Sequence, residues 1–197
     1  MPLRPSVLLE LIWIVWLASW VAASFWSGRT QRRIGTLETW TYRAAMIVGG
    51  ILLVPWTTPV LGEKPLWEVG YRGAYVLAGV MVAGLLFTWS ARIYLGKLWS
   101  SAITRKEGHR IVDTGPYALV RHPIYSGLIL ALIATAAAEG RVTGLIGAAL
   151  IIFGLWLKGR SEERFLTVEL GADAYASYCR RVPMLVPFLP RRQDVNS

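Results

Sequence analysis

Residues 124–157 read IYSGLILALIATAAA-EGR-VTGLIGAALIIFGLWL, which is two apolar runs of 15 and 16 residues around the polar triplet Glu139-Gly140-Arg141. Each run is short for a bilayer hydrocarbon core of roughly 30 Å, and runs of this length also occur in soluble proteins. The composition favours a membrane protein over a soluble one. Hydrophobic residues make up 54% of the chain and charged residues only 17%, against about 25% charged residues in average soluble proteins. We therefore predict a helical hairpin buried in a membrane, with its turn at residues 139–141.

Three longer apolar runs precede this hairpin, and each is about the length that crosses a bilayer. They cover residues 7–26, 44–61 and 73–91, with 20, 18 and 19 residues. The sequence thus predicts an all-α integral membrane protein of about five transmembrane helices with a cytoplasmic carboxyl-terminal helical segment. We expect one membrane domain, in which residues 1–91 form three amino-terminal spans and residues 92–197 hold the polar motifs and the hairpin 123–158.

The basic residues are distributed unevenly between the two sides of the predicted membrane. Segments 28–43, 92–122 and 158–192 together hold 17 of the 21 Lys and Arg residues. The positive-inside rule places these segments in the cytoplasm, with the amino terminus outside and the carboxyl terminus inside. This asymmetry explains the net charge of +9, so we expect no nucleic-acid partner. Cys179 is the sole cysteine, which excludes an intrachain disulfide, and we expect no metal site.

Polar side chains are expected to converge at the cytoplasmic end of the hairpin. His122 precedes Gly140 by 18 residues and Lys158 follows it by 18, so two antiparallel helices bring both to a similar height. Glu162 and Glu163 follow about one turn beyond Lys158. Two adjacent acids beside several bases at one end of a lipid-buried hairpin indicate a polar cavity.

Each of these residues also has a simpler explanation. Arg121 and Lys158 are of the type that anchors a span at its cytoplasmic end, and His122 could be an interfacial histidine with a backbone partner. The acid pair could begin a solvated helix with Ser161 as its cap. Beyond the acids, the prolines at 183, 187 and 190 predict an extended apolar segment across the mouth of the cavity.

Several strings around this cluster resemble one enzyme family. GPYALVRHPIYSG (115–127), the hairpin and EERFL (162–166), together with Gly171, Tyr175, Tyr178, RVP (181–183) and PF (187–188), resemble the isoprenylcysteine carboxyl methyltransferase family and the wider group that contains phospholipid N-methyltransferases. The resemblance covers about residues 109–190. RHPxY alone is less specific, because membrane sterol reductases have a similar string.

The resemblance implies a membrane-embedded enzyme that uses S-adenosylmethionine and releases S-adenosylhomocysteine. By matching positions, the cofactor contacts would be His109, Arg110, Ile111, Val112, Tyr117, His122, Pro123, Ile124, Tyr125 and Glu162. A basic substrate contact of the family falls on Lys158 by its distance from the acid pair and on Arg160 by residue type, and both remain open.

The residue types are compatible with methyl transfer. Glu162 could accept hydrogen bonds from the donor's ammonium, His122 or Arg121 could hold its carboxylate, and Tyr117 or Tyr125 could cover its adenine. An acceptor carboxylate is already ionised, with a reference pKa near 3.5, and would need only a cation such as Arg160 or Lys158. An amine or thiol would also need a base, for which Glu163 or His122 is the candidate.

The leading interpretation is a methyltransferase in the plasma or inner membrane, in contact with membrane lipids. Its acceptor would be a hydrophobic or prenylated small molecule, with a carboxyl group favoured and N- or S-methylation left open. Arg160, Glu163 and Arg121 are the candidate catalytic residues. An NADPH-dependent reductase of the sterol-reductase type, suggested by RHPIY alone, and a non-catalytic membrane scaffold are the alternatives.

Overall fold

The computed structural model describes residues 4–25, 30–33, 36–54, 63–96, 99, 104–106 and 111–188. Seven helices and two short strands lie in these ranges. The helices are α1 (Pro5–Ser24), α2 (Thr36–Leu53), α3 (Tyr71–Leu95), α4 (Pro116–Leu119), α5 (Pro123–Glu139), α6 (Val142–Leu170) and α7 (Ala172–Arg181). The strands β1 (Thr30–Arg33) and β2 (Thr104–Lys106) pair antiparallel and join two loops.

The predicted all-α membrane fold is confirmed, whereas the count of about five spans and the cytoplasmic side of the carboxyl-terminal segment stay predictions. The two-stranded ribbon is an addition that the sequence did not predict. Among the described residues, Pro5–Ser24, Tyr71–Leu95 and Val142–Glu169 are long and apolar enough to cross a membrane, and Pro123–Glu139 is a shorter apolar helix. The predicted second span, 44–61, differs in its limits: α2 already begins at Thr36 and ends at Leu53. Residues 55–62 lie outside the described part of the chain.

The hairpin turn lies where it is predicted. Gly140 ends α5 with a left-handed backbone conformation, φ +64°, which glycine adopts at low cost. A Cβ added there would lie 2.4 Å from the carbonyl oxygen of Trp67, so the segment before α3 also needs a glycine at this turn. α6 then continues without a break past the end of the apolar run to Leu170, and Gly171 follows with φ +95°. The acid pair therefore lies inside a helix, and Ser161 is not a helix cap.

The two arms of the hairpin pack mainly against other helices. α5 lies along α3 and α6 lies along α2, whereas α5 and α6 have a much smaller contact with each other. Glycines permit both close approaches: a Cβ on Gly84 would lie 2.6 Å from the Gly127 carbonyl oxygen, and a Cβ on Gly49 would lie 2.6 Å from that of Gly147. Small residues have this role in many membrane helices. The arms consequently diverge and leave room between them.

One buried arginine connects the ends of α1 and α3. The Arg92 side chain is fully buried and donates hydrogen bonds to the carbonyl oxygens of Ala23 and Gly96, each at 2.9 Å. Its guanidinium carbon lies 4.2 Å from the centroid of the Trp99 ring. These contacts connect the end of α1 to the end of α3 and to the Trp99 ring.

Candidate active site

The structure brings the residues before α5 and the acid pair of α6 into direct contact. His122 is only 7% exposed and lies between the two carboxylates. Its Nδ1 is 3.4 Å from Glu162 Oε2, and its Nε2 is 3.2 Å from Glu163 Oε1. The equal lengths of the two hairpin arms account for this meeting, since the turn at Gly140 places both segments at one height.

Arg121 and Glu163 join the hairpin to α7. Arg121 Nε donates to Glu163 Oε1 at 2.7 Å, and Arg121 Nη1 donates to the carbonyl oxygens of Cys179 and Val182 at 3.1 and 2.5 Å. The Arg121 guanidinium is thus already engaged by one carboxylate and two backbone oxygens. We therefore interpret Arg121 as a positioning residue, which holds Glu163 and the end of α7 beside His122.

Glu162 has a different set of partners. The Tyr125 hydroxyl donates to Glu162 Oε1 at 2.6 Å, and Lys158 Nζ lies 3.8 Å from the same oxygen. The Tyr125 ring is parallel to the imidazole of His122, with the centroids 5.3 Å apart. Glu162 is therefore an acceptor surrounded by a hydroxyl, an ammonium and an imidazole.

The environment of His122 determines its protonation. Burial alone would lower the pKa of His122, but the hydrogen bonds and charges of Glu162 and Glu163 act against it and raise the pKa above its ordinary value. With both ring nitrogens facing carboxylates, the imidazolium form satisfies both acids. Burial also raises the pKa of Tyr117, so this phenol stays neutral at physiological pH.

The segment after α7 covers the start of α5. The backbone N–H groups of Arg121 and His122 donate to the carbonyl oxygens of Pro183 and Met184 at 2.9 and 3.1 Å. The Ser126 hydroxyl donates to the Leu185 carbonyl oxygen at 2.5 Å. The segment predicted to cross the mouth thus lies against residues 121–126, while Pro190 falls outside the described residues.

A cavity of about 1180 Å³ begins at this cluster. Most of the sequence-predicted site residues line it: Ile111, Val112, Tyr117, Arg121, His122, Pro123, Ile124, Tyr125, Lys158 and Glu162. Glu163 does not line it and lies behind His122. His109 and Arg110 lie outside the described part of the chain.

Arg160 is not brought into this group. Its side chain is exposed, and its guanidinium carbon lies 5.8 Å from the centroid of the Trp156 ring. The reason is the regular helix: residues four apart, such as Lys158 and Glu162, share a face, whereas residues two apart do not. The geometry therefore favours Lys158 over Arg160 as the cation near the cavity.

Part of the cavity wall comes from elements whose contribution the sequence did not predict. Trp13, Trp16 and Trp20 of α1, and Trp99 beyond α3, also line the cavity. Their spacing on α1 places the three tryptophans along one helical face, which is a signal that the sequence does contain. The approach of that face to the hairpin depends on tertiary packing.

The chain is similar in sequence to one protein family and to several of its members. Residues 76–168 match the model of the isoprenylcysteine carboxyl methyltransferase family. The chain is 26% identical over 114 residues to the protein-S-isoprenylcysteine O-methyltransferase of Schizosaccharomyces pombe, which is 57% of this chain and 48% of that protein. It is 24% identical over 150 residues to the protein-S-isoprenylcysteine O-methyltransferase B of Arabidopsis thaliana, 75% of this chain and 74% of that protein.

A third relative has another acceptor in its name. The chain is 33% identical over 143 residues to methanethiol S-methyltransferase 2 of Bradyrhizobium diazoefficiens, which is 66% of this chain and 53% of that protein. The matched region thus spans about half the length of the yeast and Bradyrhizobium relatives. The family resemblance inferred from the motifs is confirmed by these matches.

Proposed function

We propose that the protein is an S-adenosylmethionine-dependent methyltransferase of a hydrophobic acceptor, because residues 76–168 match the model of the isoprenylcysteine carboxyl methyltransferase family. The observation that carries the proposal is the position of Glu162 in the cavity wall, paired with His122, Tyr125 and Lys158. A half-buried carboxylate with these neighbours, at the end of an apolar cavity, is a suitable place for a charged donor beside a hydrophobic acceptor.

The side chains at this end suit the donor's charge pattern. Its ammonium would bind Glu162, which is the acidic residue among the lining residues described at this end. Its carboxylate would bind Lys158, because the Arg121 guanidinium is already engaged by Glu163 and two carbonyl oxygens. Both ring nitrogens of His122 likewise face carboxylates already. Tyr117, Ile111 and Val112 supply a flat, half-apolar wall for the adenine.

The chain's own contribution to methyl transfer would be alignment and the exclusion of water. The bound donor supplies an electrophilic methyl group on a sulfonium, and in-line attack depends mainly on the geometry of the two reactants. Lys158 would hold the acceptor near the donor, while Tyr117 and Tyr125 close the site towards the protein interior. The neutral Tyr117 phenol adds no competing charge.

The cluster favours an acceptor that is already ionised. His122 donates from both ring nitrogens when protonated, so it is poorly suited to remove a proton. A carboxylate needs no such base, which supports O-methylation of a carboxyl group. S-methylation of a thiol is the second candidate, favoured by the similarity to a methanethiol S-methyltransferase, although a cavity of about 1180 Å³ is far larger than so small an acceptor needs.

The basic-residue distribution supports a cytoplasmic position for the cluster. Segments 28–43 and 92–122, which contain β1 and β2, are rich in Lys and Arg, and the pairing of these strands requires both segments to lie on one side. The charged donor would then enter from the cytoplasm.

Calorimetric titration of the detergent-purified protein with S-adenosylhomocysteine and with NADPH tests the proposal. We expect S-adenosylhomocysteine to bind and NADPH not to bind. Glu162→Gln is expected to weaken S-adenosylhomocysteine binding by at least about tenfold, as for loss of one hydrogen bond to a charged group. Arg160→Gln, an exposed change on the same helix, is the matched control and should leave the affinity unchanged.

Two results would contradict the proposal. Binding of NADPH without S-adenosylhomocysteine would indicate a reductase, and binding of neither would indicate a non-catalytic protein. Thermal unfolding of each variant, recorded in parallel, separates a lost contact from a lost fold.

A further inference from the structure

The cavity continues from the polar cluster to the opposite end of the hairpin. At that end it is lined by Ser6, Glu10, Val69, Thr135, Ala138, Glu139 and Arg141. The two ends are separated by α5, whose 17 residues correspond to about 26 Å. This is close to the roughly 30 Å of a bilayer hydrocarbon core, so the cavity extends over most of the membrane's thickness.

The middle of the cavity is apolar because of how the helices pack. α5 and α6 turn their small residues towards α3 and α2, and the space left between the two arms is faced by larger side chains. These are Leu17, Leu53, Leu128, Leu132, Ile151 and Leu155, together with Trp13 and Trp20. A ligand in this region must therefore be a hydrocarbon or another apolar group.

The far end is a structured polar mouth. Arg141 Nη2 lies 3.5 Å from Glu139 Oε2, and these side chains are only 14% and 11% exposed. Gly144 leaves space for the carboxylate, since a Cβ there would lie 2.9 Å from Glu139 Oε2. Thr143 donates to both carboxylate oxygens of Glu63 from its backbone N–H and its hydroxyl, at 3.1 and 2.5 Å, which holds the start of α6.

A cavity that is polar, then apolar, then polar complements a molecule with the same order. We propose that the acceptor is a long-chain amphiphile with a polar group at each end: a methyl-accepting carboxylate beside Lys158, and a hydrogen-bond-donating group beside Glu139. This inference rests on the proposed methyltransferase function, which supplies the reacting end. A lipid with a plain hydrocarbon tail would instead place its methyl terminus against Glu139 and Arg141, at a cost in desolvation.

Binding of ω-hydroxypalmitate and of palmitate, followed by the change in fluorescence of the tryptophans that line the cavity, tests the proposal on the full-length protein. We expect ω-hydroxypalmitate to bind about tenfold more tightly, as for one added hydrogen bond to a charged group. Glu139→Gln should remove most of this preference. Glu68→Gln is the matched control, because Glu68 is exposed on the same side and does not line the cavity.

A second variant keeps the proposal testable if Glu139→Gln does not fold. Gly144→Ala displaces the Glu139 carboxylate without altering any charge, and it should also reduce the preference. Equal affinity for the two probes in the wild type, or a preference that persists in both variants, would overturn the proposal. S-adenosylhomocysteine titration of the same samples tests the methyltransferase function separately. If S-adenosylhomocysteine does not bind but ω-hydroxypalmitate is still preferred over palmitate, the methyltransferase function is refuted, while the cavity with a polar group at each end is supported.

Discussion

At the residue scale, the two basic side chains near the acid pair have unequal positions. Lys158 Nζ lies 3.8 Å from Glu162 Oε1 and lines the cavity, whereas Arg160 is exposed beside Trp156. A cation that offsets the charge of an acceptor must face the cavity. The geometry thus favours Lys158 over Arg160, two candidates that the sequence leaves equal.

We therefore predict that Lys158→Ala lowers methyl transfer to a carboxylate acceptor, while Arg160→Ala has little effect. The loss in kcat/KM should be about tenfold or more, because a hydrogen bond to a charged group contributes about 1.5–3 kcal/mol. Initial rates with radiolabelled methyl donor measure the effect. The reverse order of the two variants would assign the contact to Arg160.

The buried imidazole of His122 gives a pH-dependent contribution to stability. The pKa of His122 is raised in the folded protein, because the two neighbouring carboxylates outweigh burial. A group with a raised folded pKa stabilises the protein fully below its unfolded value, near 6.5, and loses this contribution as the pH rises through the folded value. The wild type should hence become less stable above neutral pH.

We predict that His122→Gln removes the part of the pH dependence that lies on the alkaline side of about 6.5. Thermal unfolding in detergent from about pH 5 to 9, the range in which histidine changes charge, measures it. The variant should be less stable than the wild type at acidic pH and closer to it at alkaline pH. Parallel profiles for the two proteins would show that His122 does not titrate in this range.

At the element scale, the contact between α3 and α5 depends on glycines that face each other. A Cβ on Gly84 would lie 2.6 Å from the Gly127 carbonyl oxygen, and the obstructing atom is backbone. Gly79, five residues earlier on α3, has no atom within 4 Å of the corresponding position. The two glycines are thus a matched pair, one in the helix contact and one facing away from it.

We predict opposite effects for alanine at these positions. Gly84→Ala should destabilise the protein by about 1–3 kcal/mol, as overpacking does in other cores. Gly79→Ala should stabilise it by up to about 1 kcal/mol through helix propensity. Thermal unfolding of both variants in one detergent measures the difference, and equal effects would show that α3 and α5 do not pack at Gly84.

Sequence patterns predicted the hairpin because its determinants are local. Gly140 marks the turn, and arms of equal length bring His122 to the height of Lys158. The direction in which each arm packs could not be predicted in this way, because a glycine permits a close approach without specifying its partner. The exposed position of Arg160 was not predicted for another reason. Residue type suggested a contact with the substrate, whereas the continuation of α6 as one helix places the Arg160 side chain on another face.

At the scale of the whole molecule, the long cavity makes orientation a functional property. The donor would enter at the end that holds Glu162, while the mouth at Glu139 faces the other side of the membrane. The basic loops on the Glu162 side indicate that this end faces the cytoplasm. The orientation stays a prediction, and it can be measured directly because Cys179 is the sole cysteine.

We predict that a thiol on the hairpin-turn side reacts only from outside the cell, and a thiol on the cluster side only from inside. Glu68→Cys and Ala174→Cys, each in a Cys179→Ser background, place a thiol at an exposed position on either side. Labelling with a membrane-impermeant maleimide in right-side-out and inside-out vesicles measures the sidedness, and labelling after detergent lysis shows that both thiols are reactive. The opposite pattern would place Glu162 outside the cell. The excess of Lys and Arg would then face away from the cytoplasm, and donor entry from the cytoplasm would be excluded.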